Sequence, residues 1–168
     1  MNGFDAETAE GAVLAALRAL DADYEAIAIE PAYANTAAFC ERYGYGRDIS
    51  ANCIIVAGKT EDRRHAACLV QATRRLDVNR TVRRRLGVRK ASFAPAEETI
   101  ALTSMLPDGV TPFGLPEGLP LWVDAGVVEH ERVVVGGGSR SLKILVASEV
   151  FHRMLNAEVV EGLAQPPG

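Results

Sequence analysis

The sequence is poor in the residue types that most often carry chemistry. Aromatic residues make up only 6% of the 168 positions, with a single tryptophan, three histidines and three cysteines. Cys40, Cys53 and Cys68 are odd in number and form no C-x-x-C pair, which argues against a disulfide framework or a cysteine zinc site and for buried, reduced thiols. His65, His130 and His152 show no H-E-x-x-H or other ligand spacing, so neither a metal nor another cofactor is expected. There is no G-x-S-x-G elbow and no G-x-x-x-x-G-K-[ST] loop, which argues against a serine hydrolase and a Walker-type nucleotide site. No run of about 18 apolar residues occurs, so no membrane span is expected. The start, Met1 to Asp5, carries no basic residue and leads into a helix, which predicts no signal peptide. Together these features predict a cytoplasmic protein.

What is present suits one globular domain. The chain is 48% hydrophobic and 24% charged, enough apolar matter for a core. A single domain is expected over residues 1–164, followed by a disordered tail at 165–168. Eighteen Lys and Arg against 22 Asp and Glu leave a net charge of −4, so the whole surface does not advertise nucleic-acid binding.

Periodicity supplies the elements. Asp5 caps a helix carrying Val13, Leu14, Leu17 and Leu20 at helical spacing. Tyr24 to Ile29 alternates like a half-buried strand. Asn35 or Thr36 caps a short helix that Gly44 closes. Cys53 to Gly58 reads as a central strand, with His65 to Val70 as its antiparallel neighbour. Asp77 caps a helix carrying Val78, Val82 and Leu86, and Gly87 ends it. Pro95 opens a helix with Glu97 and Glu98 in its first turn, where the helix dipole favours acids. Leu119 to Asp124, Val133 to Val135 and Leu142 to Val146 read as strands. Ser148 caps a last predicted helix bearing Phe151 and Leu155, and Val159-Val160 forms a short final strand. The interspersed order without a strict βαβ rhythm predicts an α/β protein of the α+β type: a mixed, largely antiparallel sheet or partial barrel surrounded by helices.

Four constellations could carry chemistry. The loop Asp108-Gly109-Val110-Thr111-Pro112-Phe113-Gly114 is a rigid turn in which Gly109 admits close approach of a ligand to the backbone. The run Gly136-Gly137-Gly138-Ser139-Arg140, between two strands, exposes amides that could cradle an oxyanion, a ribose or a phosphate. Asp124 ends an apolar strand, where an acid can orient water or simply cap the next turn. Arg74, Arg75, Arg80, Arg83, Arg84, Arg85, Arg89 and Lys90 make a local basic stripe with Asp77 as its only acid, suited to a phosphate backbone. Each also has an ordinary structural reading: a surface turn, a flexible hairpin, an N-cap and a solvated helix face.

Their order and spacing are more specific than any one of them. Gly109-Val110-Thr111-Pro112-Phe113-Gly114, then Leu119-Pro120-Leu121-Trp122-Val123-Asp124, then Gly136-Gly137-Gly138-Ser139-Arg140 resemble the C-terminal half of the YbaK/EbsC family of aminoacyl-tRNA editing domains. Thr36-Ala37-Ala38, the strand pair at Asn52–Val56 and His65–Leu69, and Leu76-Asp77 leading to Leu86-Gly87 extend the resemblance from about Thr36 to Val160. It implies a mixed sheet flanked by helices and hydrolysis, in trans, of the ester joining a wrong amino acid to the tRNA 3′ end. The implied partners are mischarged tRNA and an aminoacyl-tRNA synthetase, with no metal. On this resemblance Asn52 and Asp124 are the catalytic candidates. Thr36, Gly109, Val110, Thr111 and Pro112 would line the amino-acid pocket, Gly137 and Gly138 would supply amides, and Arg80, Arg83 and Arg84 would hold the tRNA. The family usually places a lysine where this chain has Asn52, and glycine where it has Asp108, Ser104 and Ser141. The alternative reading is a catalytically weakened module that binds an aminoacyl-adenosine, a tRNA end or a synthetase.

Overall fold

A computed structural model describes residues 5–167; Met1–Phe4 and Gly168 lie outside the described residues, and with them most of the N-terminal segment read for a signal peptide and the last residue of the tail. The chain opens with helix α1 (Ala6–Ala19), whose N-cap Asp5 accepts a hydrogen bond from the Glu7 amide. Val13 and Leu17 are the buried stripe of that helix. Strand β1 (Tyr24–Ala28) follows, and helix α2 (Thr36–Tyr43) is capped by Asn35, whose side chain accepts from the Ala38 amide. Gly44 ends α2 in the left-handed conformation, φ 81°, where a glycine costs least.

Strands β2 (Ala51–Gly58) and β3 (His65–Gln71) pair antiparallel from Ala51–Gln71 to Ala57–His65. After the short strand β4 (Arg75–Leu76), Asp77 caps a wide turn (Val78–Val82) that tightens into one turn of helix, α3 (Arg83–Leu86). Strand β5 (Ala91–Phe93), helix α4 (Ala96–Thr103), strand β6 (Leu121–Asp124), the hairpin β7 (Arg132–Gly136) and β8 (Leu142–Ala147), and strands β9 (Ala157–Val160) and β10 (Ala164–Gln165) complete the chain.

Two sheets result. One runs β5-β2-β3-β6-β9, with antiparallel pairs at one end and the parallel pairs β3–β6 and β6–β9 at the other. The second is the antiparallel trio β1-β8-β7. They are stitched by a parallel bridge between Ser50 and Val134, where the Val134 amide donates to the Ile49 carbonyl at 2.8 Å. The mixed, mostly antiparallel architecture with helices around it is as the sequence predicts.

The main core fills the space between the sheets and beneath α1, with Val13, Leu69, Phe113, Leu121, Ile144 and Phe151 fully or almost fully buried. A second cluster on the other face of the five-stranded sheet seats Val82, Leu86 and Leu163 over Val70 and Trp122. A third joins Phe39 and Cys40 of α2 to Val134 on the outer face of the small sheet.

Three expectations need correction. The helix expected after Ser148 is a 3-10 turn (Ser148–His152), and Leu155 is fully exposed; Phe151 alone holds the segment to the core. The strand expected from Leu119 begins at Leu121, because the Pro120 carbonyl serves as acceptor for Ala67 at 2.9 Å while its ring nitrogen has no hydrogen to donate. Gln165, assigned to the disordered tail, pairs with Arg75 in the β4–β10 ribbon. Among the described residues, no helix is long and apolar enough to cross a membrane.

Candidate active site

The stitch between the sheets leaves part of strand β2 unpaired beside it. Strand β5 pairs with β2 only from Val56 to Gly58, so on the side away from β3 the stretch Ala51–Ile54 has no strand partner. The edge is therefore free to offer backbone donors and acceptors to a ligand. Beyond the Ser50–Val134 bridge a cavity of about 380 Å³ opens beside this edge. Its floor is Ala51 to Ile54, and Ala34 to Ala37, at the start of α2, form one wall. Pro107, Asp108 and Val110 form the opposite wall, and Gly136 and Lys143 close the back.

Each wall has a local cause. Helix α2 begins with Asn35 as its cap, so its first amides and the positive end of its dipole face the cavity. The Thr36 hydroxyl donates to Asn52 Oδ1 at 2.6 Å, which turns the Asn52 amino group away from Thr36 as an available donor. The opposite wall, Pro107, Asp108 and Val110, is braced from behind by tightly packed glycines. A Cβ on Gly109 would collide with the Ser139 backbone, and one on Gly136 with the carbonyls of Val110 and Gly109. The Gly138 amide donates to the Gly109 carbonyl at 2.7 Å, and the Gly109 amide to the Leu106 carbonyl at 2.8 Å. The two glycine loops thus lock to each other.

This locking reassigns several expected site residues. Thr36, Asn52 and Val110 line the cavity; Gly109, Thr111, Pro112, Gly137 and Gly138 do not. The Gly138 amide, expected to face a ligand, is consumed by Gly109, and a side chain at Gly138 would point at Ala9 and Val13 of α1. Thr111 is wholly buried behind the wall. Asp124 is not at the cavity either: its two oxygens accept from the amides of Gly126 at 3.0 Å and Ala164 at 2.9 Å, so it fixes the C-terminal segment to the end of β6. Arg80, Arg83 and Arg84 lie exposed on the wide turn and α3. With Arg75, Arg89 and Lys90 they form no ion pair among the described residues, whereas Arg85 is spent on Glu158 and on the Trp122 ring.

Residues 30–153 match the family model described as the aminoacyl-tRNA editing domain. The chain belongs to that family. Solved structures agree on the fold of this editing domain. A hypothetical protein superposes with a TM-score of 0.78 at 20% identity, over 89% of this chain and 96% of the other. A structure described as a proposed trans-editing enzyme for prolyl-tRNA synthetase gives 0.78 at 19% identity, over 95% and 98%. A proposed signal-transduction protein from Marinobacter aquaeolei gives 0.57 at 18% identity, over 90% of this chain but 30% of that one. The same fold therefore also occurs inside a longer chain.

The residue that sequence reading missed in this editing domain is Lys143. It stands in the apolar strand β8 between Leu142 and Ile144, whose side chains enter the main core, so it points to the opposite face, beneath α2. It is only 6% exposed. Its Nζ lies 5.6 Å from the Phe39 ring centre, and it has no ion-pair partner among the described residues. The nearby carboxylate, Asp108, is already paired with Arg140, which also donates to the Pro31 carbonyl at 3.0 Å. Burial pushes the Lys143 ammonium below its ordinary range, and the negative charge of Asp108 opposes that shift. Its signal in the sequence was one cation interrupting an otherwise apolar strand. Cys53 also lines the cavity, but burial pushes its thiol up to about 12, so at neutral pH it carries no thiolate to act as nucleophile.

Proposed function

We propose that this editing domain is a deacylase that acts in trans on mischarged tRNA, hydrolysing the ester between the amino acid and the terminal ribose. The observation that carries the reading is the cavity itself. It is small, it has a free strand edge and a helix start for walls, its one thiol is protonated, and Asn52 and Lys143 offer donors to a developing negative charge. An ester of this kind is already activated. The protein has to hold it, admit a water and stabilise the negative charge that develops on the carbonyl oxygen.

In this reading the side chain of the amino acid enters between α2 and the Asp108–Val110 wall. The Asn52 amino group, held by Thr36, donates to the ester or to the terminal adenosine. A water adds to the carbonyl carbon, the bond from that carbon to the ribose oxygen breaks, and the departing oxygen takes up a water proton. The products are the free amino acid and an uncharged tRNA. Arg80, Arg83 and Arg84, exposed and without carboxylate partners among the described residues, steer the phosphate backbone. A synthetase is the natural neighbour for such an activity, because it releases the mischarged product.

A second reading is favoured by Asn52 itself, a neutral amide where the family usually carries a lysine. It makes the domain a module that binds an aminoacyl-adenosine or tRNA end without cleaving it. Incubation with tRNAs mischarged with alanine, cysteine or serine separates the two. Ester loss above the no-protein control establishes the deacylase. Binding without ester loss at protein well above substrate establishes the module.

A further inference from the structure

The cavity contains a buried positive charge that makes no ion pair among the described residues. Lys143 is buried, its nearest carboxylate is occupied by Arg140, and its two cross-strand neighbours are Ile27 and Gly136. Gly136 has no side chain and, like Lys143, lines the cavity, so the space beside the lysine opens directly onto it. Burying an ammonium without a counter-ion is unfavourable unless something repays it. The carboxylate at the cavity wall, Asp108, is paired with Arg140, and the Asn52 amino group and the first amides of α2 add donors. Together these contributions to the local field favour an anion at the same place.

We propose that Lys143 is a catalytic residue of this cavity, its Nζ contacting and stabilising the oxyanion formed as water adds to the ester carbonyl. The inference rests on the deacylase reading for its chemical step, but the anion preference it requires is a property of the cavity alone. Lys143 on β8 supplies the positive charge that the neutral Asn52 amide on β2 does not. The two residues line the cavity from different sheets. Asn52 orients the neutral ester, and Lys143 meets the charge that appears only afterwards, which is where electrostatic contacts accelerate a reaction most.

The test uses two adenosine analogues. In one, an aminoacyl amide replaces the ester at the 3′ position and is neutral at the attacked carbon. In the other, a tetrahedral phosphonate carries one negative charge there. Wild-type protein is expected to bind the phosphonate about 100-fold more tightly or better. Lys143→Met is expected to lose about 10- to 100-fold of that preference, with amide affinity nearly unchanged. Lys143→Gln serves as a second variant of similar length, and thermal melts confirm that both are folded. With mischarged tRNA, either variant should lower kcat by about 10²- to 10³-fold with little change in KM. Absence of a phosphonate preference in the wild type, or its survival in both folded variants, overturns the assignment. If the preference behaves as expected but the wild type cleaves no ester, the deacylase reading fails while the anion site on Lys143 stands.

Discussion

Single residues decide this cavity through what they leave unsatisfied. Burial holds Lys143 below its ordinary value of 10.5, so the folded chain binds that proton less tightly than the unfolded chain. The penalty is present in full below the folded value and is relieved as pH climbs from there to 10.5. Asp108 opposes the shift, as Cys40 does more weakly, and Arg140 reinforces it. Urea unfolding of wild type and Lys143→Met across that window should therefore show the wild type gaining on the variant as pH rises, with Lys143→Met the more stable at pH 7. At Gly109 the constraint is steric. A methyl group there meets the Ser139 backbone, which cannot rotate away, so Gly109→Ala should cost about 1–3 kcal/mol by overpacking and should abolish ligand binding at the cavity. Loss of stability with binding retained would show that the two glycine loops can separate without deforming the wall.

At the scale of elements, the local signals are strong where a cap or a turn defines an end. Asp5, Asn35, Asp77, Gly44 and Gly87 all act as their types predict. The glycine-to-serine departure at position 104 is explained by the same rules. Ser104 ends α4 with φ 60°, a left-handed conformation that a side chain enters at a cost. Ser104→Gly should raise stability by roughly 0.5–1 kcal/mol, read from the shift in the denaturation midpoint. Ser141, by contrast, is not among the positive-φ residues, and the same change there should gain nothing. What the sequence could not convey is which groups are already used. Gly138 reads as a free amide but is bound to Gly109, and Asp124, which reads equally as a catalytic acid or a cap, caps Gly126 and holds Ala164. The bonds from Gly138 to Gly109 and from Ala164 to Asp124 span residues distant in the chain, so no local pattern encodes them. Lys143 escapes for a related reason: its burial comes from α2, which covers it from a hundred residues upstream.

For the molecule as a whole, charge is distributed against the net sign. The acidic protein keeps a group of exposed arginines on and around the turn from Val78 to Leu86, seated by Val82 and Leu86 on the smaller core. Replacing Arg80, Arg83 and Arg84 by alanine should weaken tRNA binding and reduce the slope of log affinity against log salt by about one for each phosphate no longer neutralised. The melting temperature should hardly move, because these side chains are exposed. An unchanged slope would place the tRNA on another surface.

The backbone wall has a consequence for how such a protein changes over generations. A pocket bounded by side chains can be resized at any point by one substitution. Here the Gly109 loop and the glycine hairpin brace each other, so the backbone that carries Pro107, Asp108 and Val110 has almost no room to move. The adjustable half is the small-residue start of α2, at Ala34 and Ala37, with Ile54 below it. Divergence in which amino acid is accepted should therefore be concentrated in a handful of codons there, while the glycines drift hardly at all.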